Sequence, residues 1–192
     1  EAPSYFRHVD EVLCIVPKDQ QNFAIAMADV NIALDLIKNT DLTRTWRGGL
    51  FESYQEVVQY YTDTDALNEP YDIANNVFTE NQKILKDEIG LTEEEFQKIL
   101  IKIPTVAKLT AYKFQPDHSN VINSQPIIVN NKTSIFSPKI NFQIPEFDEY
   151  FNKKTQELGI KLYWIDSAVI RAKGGQIHCA TNIVRTPLEK PE

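Results

Sequence analysis

Val12-Leu13-Cys14-Ile15-Val16-Pro17-Lys18-Asp19-Gln20, followed by Phe23-Ala24-Ile25-Ala26-Met27 and Asp29, is the stretch from which the fold is read. Two short apolar runs flank a polar turn that opens on a proline, the pattern of strand, turn and strand. Asp29 stands where a helix cap belongs, ahead of Val30, Ala33, Leu34 and Ile37 on one helical face. Further along, Trp46-Arg47-Gly48-Gly49-Leu50 reads as a loop, and residues 51–61 are too mixed to assign. A second helix is expected over 73–89, stopped by Gly90.

Thr92-Glu93-Glu94-Glu95 is a capping-box pattern, and the helix it opens should carry Phe96, Ile99 and Leu100 and end by Ile103-Pro104. Ile127-Ile128-Val129 reads as a buried strand before an Asn130-Asn131-Lys132 turn. Pro145 suits the first turn of a helix with Phe147, Tyr150, Phe151 and Leu158 on its apolar side and Gly159 as its stop, after which 160–165 reads as strand. A hairpin is expected around Gly174-Gly175. Strands mixed with helices in this order point to an α/β or α+β fold rather than a helical bundle or a sandwich. No sequence repeat of fixed period is visible, although a repeated strand and helix architecture needs no sequence identity.

The chain of 192 residues is long enough for one substantial core. It is 42% hydrophobic and 24% charged, with a formal net charge of -7, a balance that disfavours a nucleic-acid partner and tolerates a cationic substrate. No apolar run approaches the roughly 18 residues of a membrane span, so no membrane association is expected. Glu1-Ala2-Pro3 opens without methionine or a targeting segment, which reads as part of something longer. Asn131-Lys132-Thr133 is a formal glycosylation site that leaves secretion open without settling localisation.

With only two cysteines and three histidines, each is worth weighing singly. Cys14 lies inside an apolar run and reads as core. Cys179, in Gly174-Gly175-Gln176-Ile177-His178-Cys179-Ala180-Thr181-Asn182, sits beside a polar turn and is the candidate nucleophile, with a buried small hydrophobe as the plainer alternative. In an extended segment His178 and Cys179 point to opposite faces, which favours His8 as the basic partner. In Arg7-His8-Val9-Asp10-Glu11, His8 and Asp10 are two apart and can face one ligand; ordinary surface chemistry is again the alternative. No CxxC or HExxH spacing points to a structural metal, and the paired glycines complete no phosphate loop.

These segments, with Leu91-Thr92-Glu93-Glu94-Glu95 and Ile103-Pro104 between them, resemble the C-terminal part of the protein-arginine deiminases, members of the guanidino-modifying enzymes with a pentein, or α/β-propeller, fold. The likeness spans nearly the whole chain. It implies a hydrolase that deiminates arginine in peptides or proteins to citrulline and ammonia, with Cys179 as nucleophile, His8 as general acid and base, and Asp10 holding the guanidinium. Deimination of free arginine or a small guanidine is the near alternative, and a noncatalytic peptide-binding subunit the distant one. The resemblance implies that 1–192 is the C-terminal part of a catalytic domain whose N-terminal part, as a preceding segment or second chain, brings a further aspartate, substrate-contacting arginines and several ligands of any calcium. No cofactor is required for the covalent chemistry, calcium dependence attaches to no residue here, and Arg171-Ala172-Lys173-Gly174-Gly175 departs from the short turn expected before the cysteine motif.

Overall fold

The computed structural model describes residues 12–19, 22–43, 53–62, 64–105, 107–110, 113–116, 122–130, 132–139 and 145–166. The opening pattern folds as read. β1 (Leu13–Pro17) and β2 (Phe23–Asp29) pair antiparallel, Cys14 against Ala26 and Val16 against Ala24. The turn between them is closed by Asp19, whose Oδ1 accepts from the Asn22 N–H at 2.8 Å. Asp29 caps α1 (Val30–Lys38), its carboxylate accepting from the Ile32 N–H at 2.9 Å, and Val30, Ala33 and Ile37 are buried.

Residues 54–62 form α2 (Tyr54–Thr62), where the sequence left no assignment. Tyr54, Val57 and Tyr61 make its buried stripe, and the Ser53 hydroxyl accepts from the Glu56 N–H at 3.1 Å. Helix α3 (Thr64–Ile89) begins nine residues before the expected start and ends as expected at Gly90, whose φ of 76° is a conformation that glycine adopts without strain. The capping box forms on α4 (Glu93–Ile99): Thr92 accepts from the Glu95 N–H, and the Thr92 N–H and hydroxyl donate to the Glu95 carboxylate, holding that carboxyl below its ordinary pKa.

Here the sequence reading needs one correction, because Leu100 belongs to no helix. The chain passes directly from α4 into β3 (Leu100–Pro104), which lies parallel to β2 with Ile25 opposite Leu100 and Asp29 opposite Pro104. A hairpin, β4 (Ala107–Thr110) with β5 (Lys113–Pro116), follows. Then β6 (Gln125–Val129) and β7 (Lys132–Pro138) pair antiparallel around Asn130 at φ 51°, α5 (Pro145–Glu157) crosses over and stops near Gly159, and β8 (Lys161–Ile165) returns parallel to β7.

The two three-stranded sheets therefore share one topology. In each, two antiparallel strands are followed by a helical crossover and a third strand parallel to the second, with the second in the centre. This is the architectural repeat that the sequence could have concealed. The side chains of β2 divide by strand alternation: Ala24, Ala26 and Ala28 enter one core with Val30, Ala33, Ile37, Ile135, Phe147 and Phe151, while Ile25 and Met27 enter another around Phe96. Small alanines on the first face leave room for helix packing close to the sheet. Phe151 meets Trp164 edge-on, centroids 5.8 Å apart, fastening α5 to its own sheet.

Candidate active site

The sheets are registered to each other through β1 and β6. Cys14 Sγ lies 3.8 Å from the Ser124 carbonyl oxygen, just before β6. At the other end of β1, the Thr133 hydroxyl donates to Pro17 O at 2.6 Å and lies 3.0 Å from Lys18 O, and Thr133 is paired with Ile128 on β6. The two strands thus run in the same direction side by side. Since each is antiparallel to its own central strand, the starts of β1 and β6 and the carboxyl ends of β2, β3, β7 and β8 all lie at one end of the framework.

That end has the features of a site. In open α/β sheets ligands bind outside the carboxyl ends of the strands. Buried polar residues gather there: Asp29, Thr105, Asn123, Ser124 and Ser137. The Ser124 hydroxyl lies 2.9 Å from that of Ser137, and the Thr105 N–H donates to Asp29 O at 3.1 Å. Asp29 is 8% exposed and its Oδ2 lies 3.3 Å from Lys102 Nζ, so its charge is already partnered. Lys139 closes the end of the second sheet, its N–H donating to Ile165 O at 2.8 Å.

The first turn of α5 reaches the same end with Glu146 and Asp148, and Glu149 follows. Asp148 is half-buried, its Oδ1 has no hydrogen-bond partner among the described residues, and burial raises its carboxyl to about 6; Lys139 opposes this and Glu149 adds to it. Tyr150 is pushed up to about 12 by burial, with the charges of Asp29 and Glu157 acting the same way. A hollow of about 400 Å³ lined by residues including Thr155, Gly159 and Lys161 lies at the amino end of β8, away from this cluster.

His8, Asp10 and Cys179, the residues singled out by the sequence, lie outside the described residues, as do Trp46 through Leu50 and the expected hairpin at Gly174-Gly175. The described framework fixes where their segments attach. Val12 O accepts from the Ala28 N–H at 3.0 Å, so the segment carrying His8 and Asp10 joins at the polar end, and the segment carrying Cys179 leaves β8 from that end too. Among the described residues no three His, Cys, Asp or Glu side chains come together to hold a metal ion.

A family model described as protein-arginine deiminase (PAD) matches residues 4–191, which includes both attached segments. The chain belongs to the protein-arginine deiminase family. Within it, the chain is similar to human protein-arginine deiminase type-4 and to mouse protein-arginine deiminase type-1, each 26% identical over 190 residues. In both comparisons 94% of this chain is matched and it spans 28% of the relative's length. Membership places the chain among the guanidino-modifying enzymes. No helix among the described residues is long and apolar enough to cross a membrane. The polar layer at Asn123, Ser124 and Ser137 escaped the sequence reading, whose candidates for chemistry were cysteines, histidines and a neighbouring carboxylate.

Proposed function

We propose that the polypeptide containing this chain hydrolyses the guanidinium of arginine, within peptides or proteins, to the ureido group of citrulline with release of ammonia. The observation that carries the proposal is the family match from residue 4 to 191, which takes in His8, Asp10 and Cys179 together. The attachment of both segments at the polar end of the two sheets supports it.

In this reading the Cys179 thiolate attacks the guanidinium carbon, forming a C–S bond and a tetrahedral centre. His8 gives a proton to the departing nitrogen, and the C–N bond breaks to release ammonia. Water then adds to the amidino-thioether carbon while His8 takes its proton, and cleavage of the C–S bond returns the thiolate and yields the urea oxygen. Asp10 holds the planar cation by accepting its N–H groups; a carboxylate suits this better than an apolar wall because the bound guanidinium is positively charged, as is the amidino-thioether formed when ammonia leaves. The two like-built sheets are read as two blades of a pentein ring whose remaining blades come from an N-terminal segment or second chain.

The test is turnover of an arginine peptide by the full-length polypeptide, followed as citrulline mass shift and ammonia release, with free arginine in parallel. Cys179→Ala should abolish turnover, and His8→Ala should slow both ammonia departure and hydrolysis of the intermediate. Undiminished turnover in folded Cys179→Ala would refute the cysteine mechanism, turnover of free arginine alone would reassign the substrate, and none in the parent would favour a binding subunit.

A further inference from the structure

We propose that the outer face of the second sheet is an interface for another part of the same polypeptide, an apolar helix bordered by carboxylates; this rests on the ring reading given above. Each sheet packs its inner face with its crossover helix. Ala24, Ala26 and Ala28 share a core with α1, and Ile135 with Phe147 and Phe151 of α5. The outer faces differ. On the first sheet Ile25 and Met27 are 0% and 1% exposed, in a cluster with Phe96 of α4 and Leu85 of α3. Those two helices belong to the long crossover between β2 and β3. Between β7 and β8 the described residues hold α5 alone, which packs on the inner face.

By strand alternation the outer face of the second sheet carries Ile127, Phe136, Tyr163 and Ile165, with Lys132 and Lys161 at the starts of β7 and β8. A sheet face built for water is polar at these positions. Here Phe136 and Tyr163 are paired across the strands, their rings stacked with centroids 5.0 Å apart, and Tyr163 is 37% exposed. Neither ring joins either buried cluster.

Charge narrows the occupant. Lys161 Nζ lies 4.7 Å from the centre of the Tyr163 ring, and neither lysine has a carboxylate partner among the described residues. An apolar patch bordered on one side by two unpaired cations is complemented by an apolar surface with carboxylates on the matching border. The strands β6, β7 and β8 contain no aspartate or glutamate, so a second copy docked face to face would leave the lysines unanswered. Helices close the equivalent face of the first sheet, and the relatives have chain to supply one, since this chain spans 28% of their length. Ile165 ends β8 at the polar end of the framework, so the element covering this face also borders the candidate site.

The experiment uses the full-length polypeptide, labelled by hydroxyl radicals and read by mass spectrometry. Tyr60, 41% exposed on α2, is the internal reference for Tyr163. The two are nearly equally open within this chain, and burial in an interface should slow labelling of Tyr163 about tenfold or more relative to Tyr60. Carbodiimide coupling of a mixture of light and heavy-isotope polypeptide then identifies the neighbour: Lys132 or Lys161 should form amide links to carboxylates of the same molecule outside residues 1–192. Less protection of Tyr163, links confined to residues 1–192 or to a second copy, or no link from either lysine would overturn the proposal. Turnover of an arginine peptide by the same preparation separates the two ideas. Turnover with Tyr163 open refutes the interface alone, whereas a covered and linked face without turnover refutes the function and leaves the interface standing.

Discussion

Replacing Phe96 with alanine should open one side of the first sheet and leave the second sheet intact. Phe96 is 1% exposed and is the single buried residue of α4, a helix of seven residues. A helix that short is not stable by itself, so its position depends on this ring and on the capping box. The ring packs in a cluster with Ile25 and Met27, backed by Leu85, Leu91 and Ile99. Deleting a buried phenylalanine side chain costs about 3–5 kcal/mol, a large part of the roughly 5–15 kcal/mol that holds a typical domain together. Amide hydrogen exchange on the full-length polypeptide should show protection of α4 and β3 falling by roughly two to three and a half powers of ten. The amides of β7 and β8 should change by no more than about twofold, because Ile135, Phe147 and Phe151 belong to the cluster on the opposite face of β2. A loss below about tenfold at β3, or an equal loss at β8, would refute this division of the core.

Thr92→Ala removes the hydroxyl that caps α4 and should cost about 1 kcal/mol in the same exchange measurement, with Thr92→Asp restoring most of it. Cys14→Ala should leave labelling of Cys179 by 2-chloroacetamidine intact, since the half-buried Cys14 packs against the core between the sheets; loss of labelling in a folded Cys14→Ala protein would move the nucleophile assignment. Asp148 should make stability depend on pH: burial pushes its folded pKa up to about 6, above the ordinary aspartate range, so its contribution is full below about pH 4 and is lost as pH rises through 6. Asp148→Asn should therefore flatten a melting-temperature profile between pH 4 and 7 and stabilise the protein at pH 7, with an identical profile in both proteins counting against the assignment.

How much was legible depends on whether burial left a mark on residue type. The hairpin of β1 and β2, the Asp29 cap, the Thr92 box and the Pro145 start each rest on local chemistry, and all four formed. The missed strand β3 continues an apolar spacing from Phe96 through Ile99 and Leu100, so helix and strand periods overlap there; the alternation of Ile99, Ile101 and Ile103 was the signal for the strand. For α2 the cue was Ser53 three residues before Glu56, a cap obscured by Val58 and Tyr60 off the buried stripe. Of the candidate site, residue chemistry singled out Cys179, His8 and Asp10 beside plainer alternatives, the resemblance gave each a role, and all three lie outside the described residues. The framework that brings the start of β1 and the end of β8 to one end arises from pairings between strands far apart in the chain, which periodicity cannot express.

The concealed repeat has a physical origin in the two central strands. Both faces of β2 are covered, so Phe23-Ala24-Ile25-Ala26-Met27-Ala28 reads as continuous apolar sequence. The equivalent β7, Lys132-Thr133-Ser134-Ile135-Phe136-Ser137-Pro138, buries Thr133 and Ser137 beside Ile135. A buried hydroxyl is tolerated when it is hydrogen-bonded, and these two bind Pro17 O and the Ser124 hydroxyl. Both partners lie at the junction with β1 or β6, one toward each end of the strand. The polar residues that hide β7 from a hydrophobicity pattern are therefore the ones that register the second sheet against the first, and that register brings the start of β1 and the end of β8 to a common end.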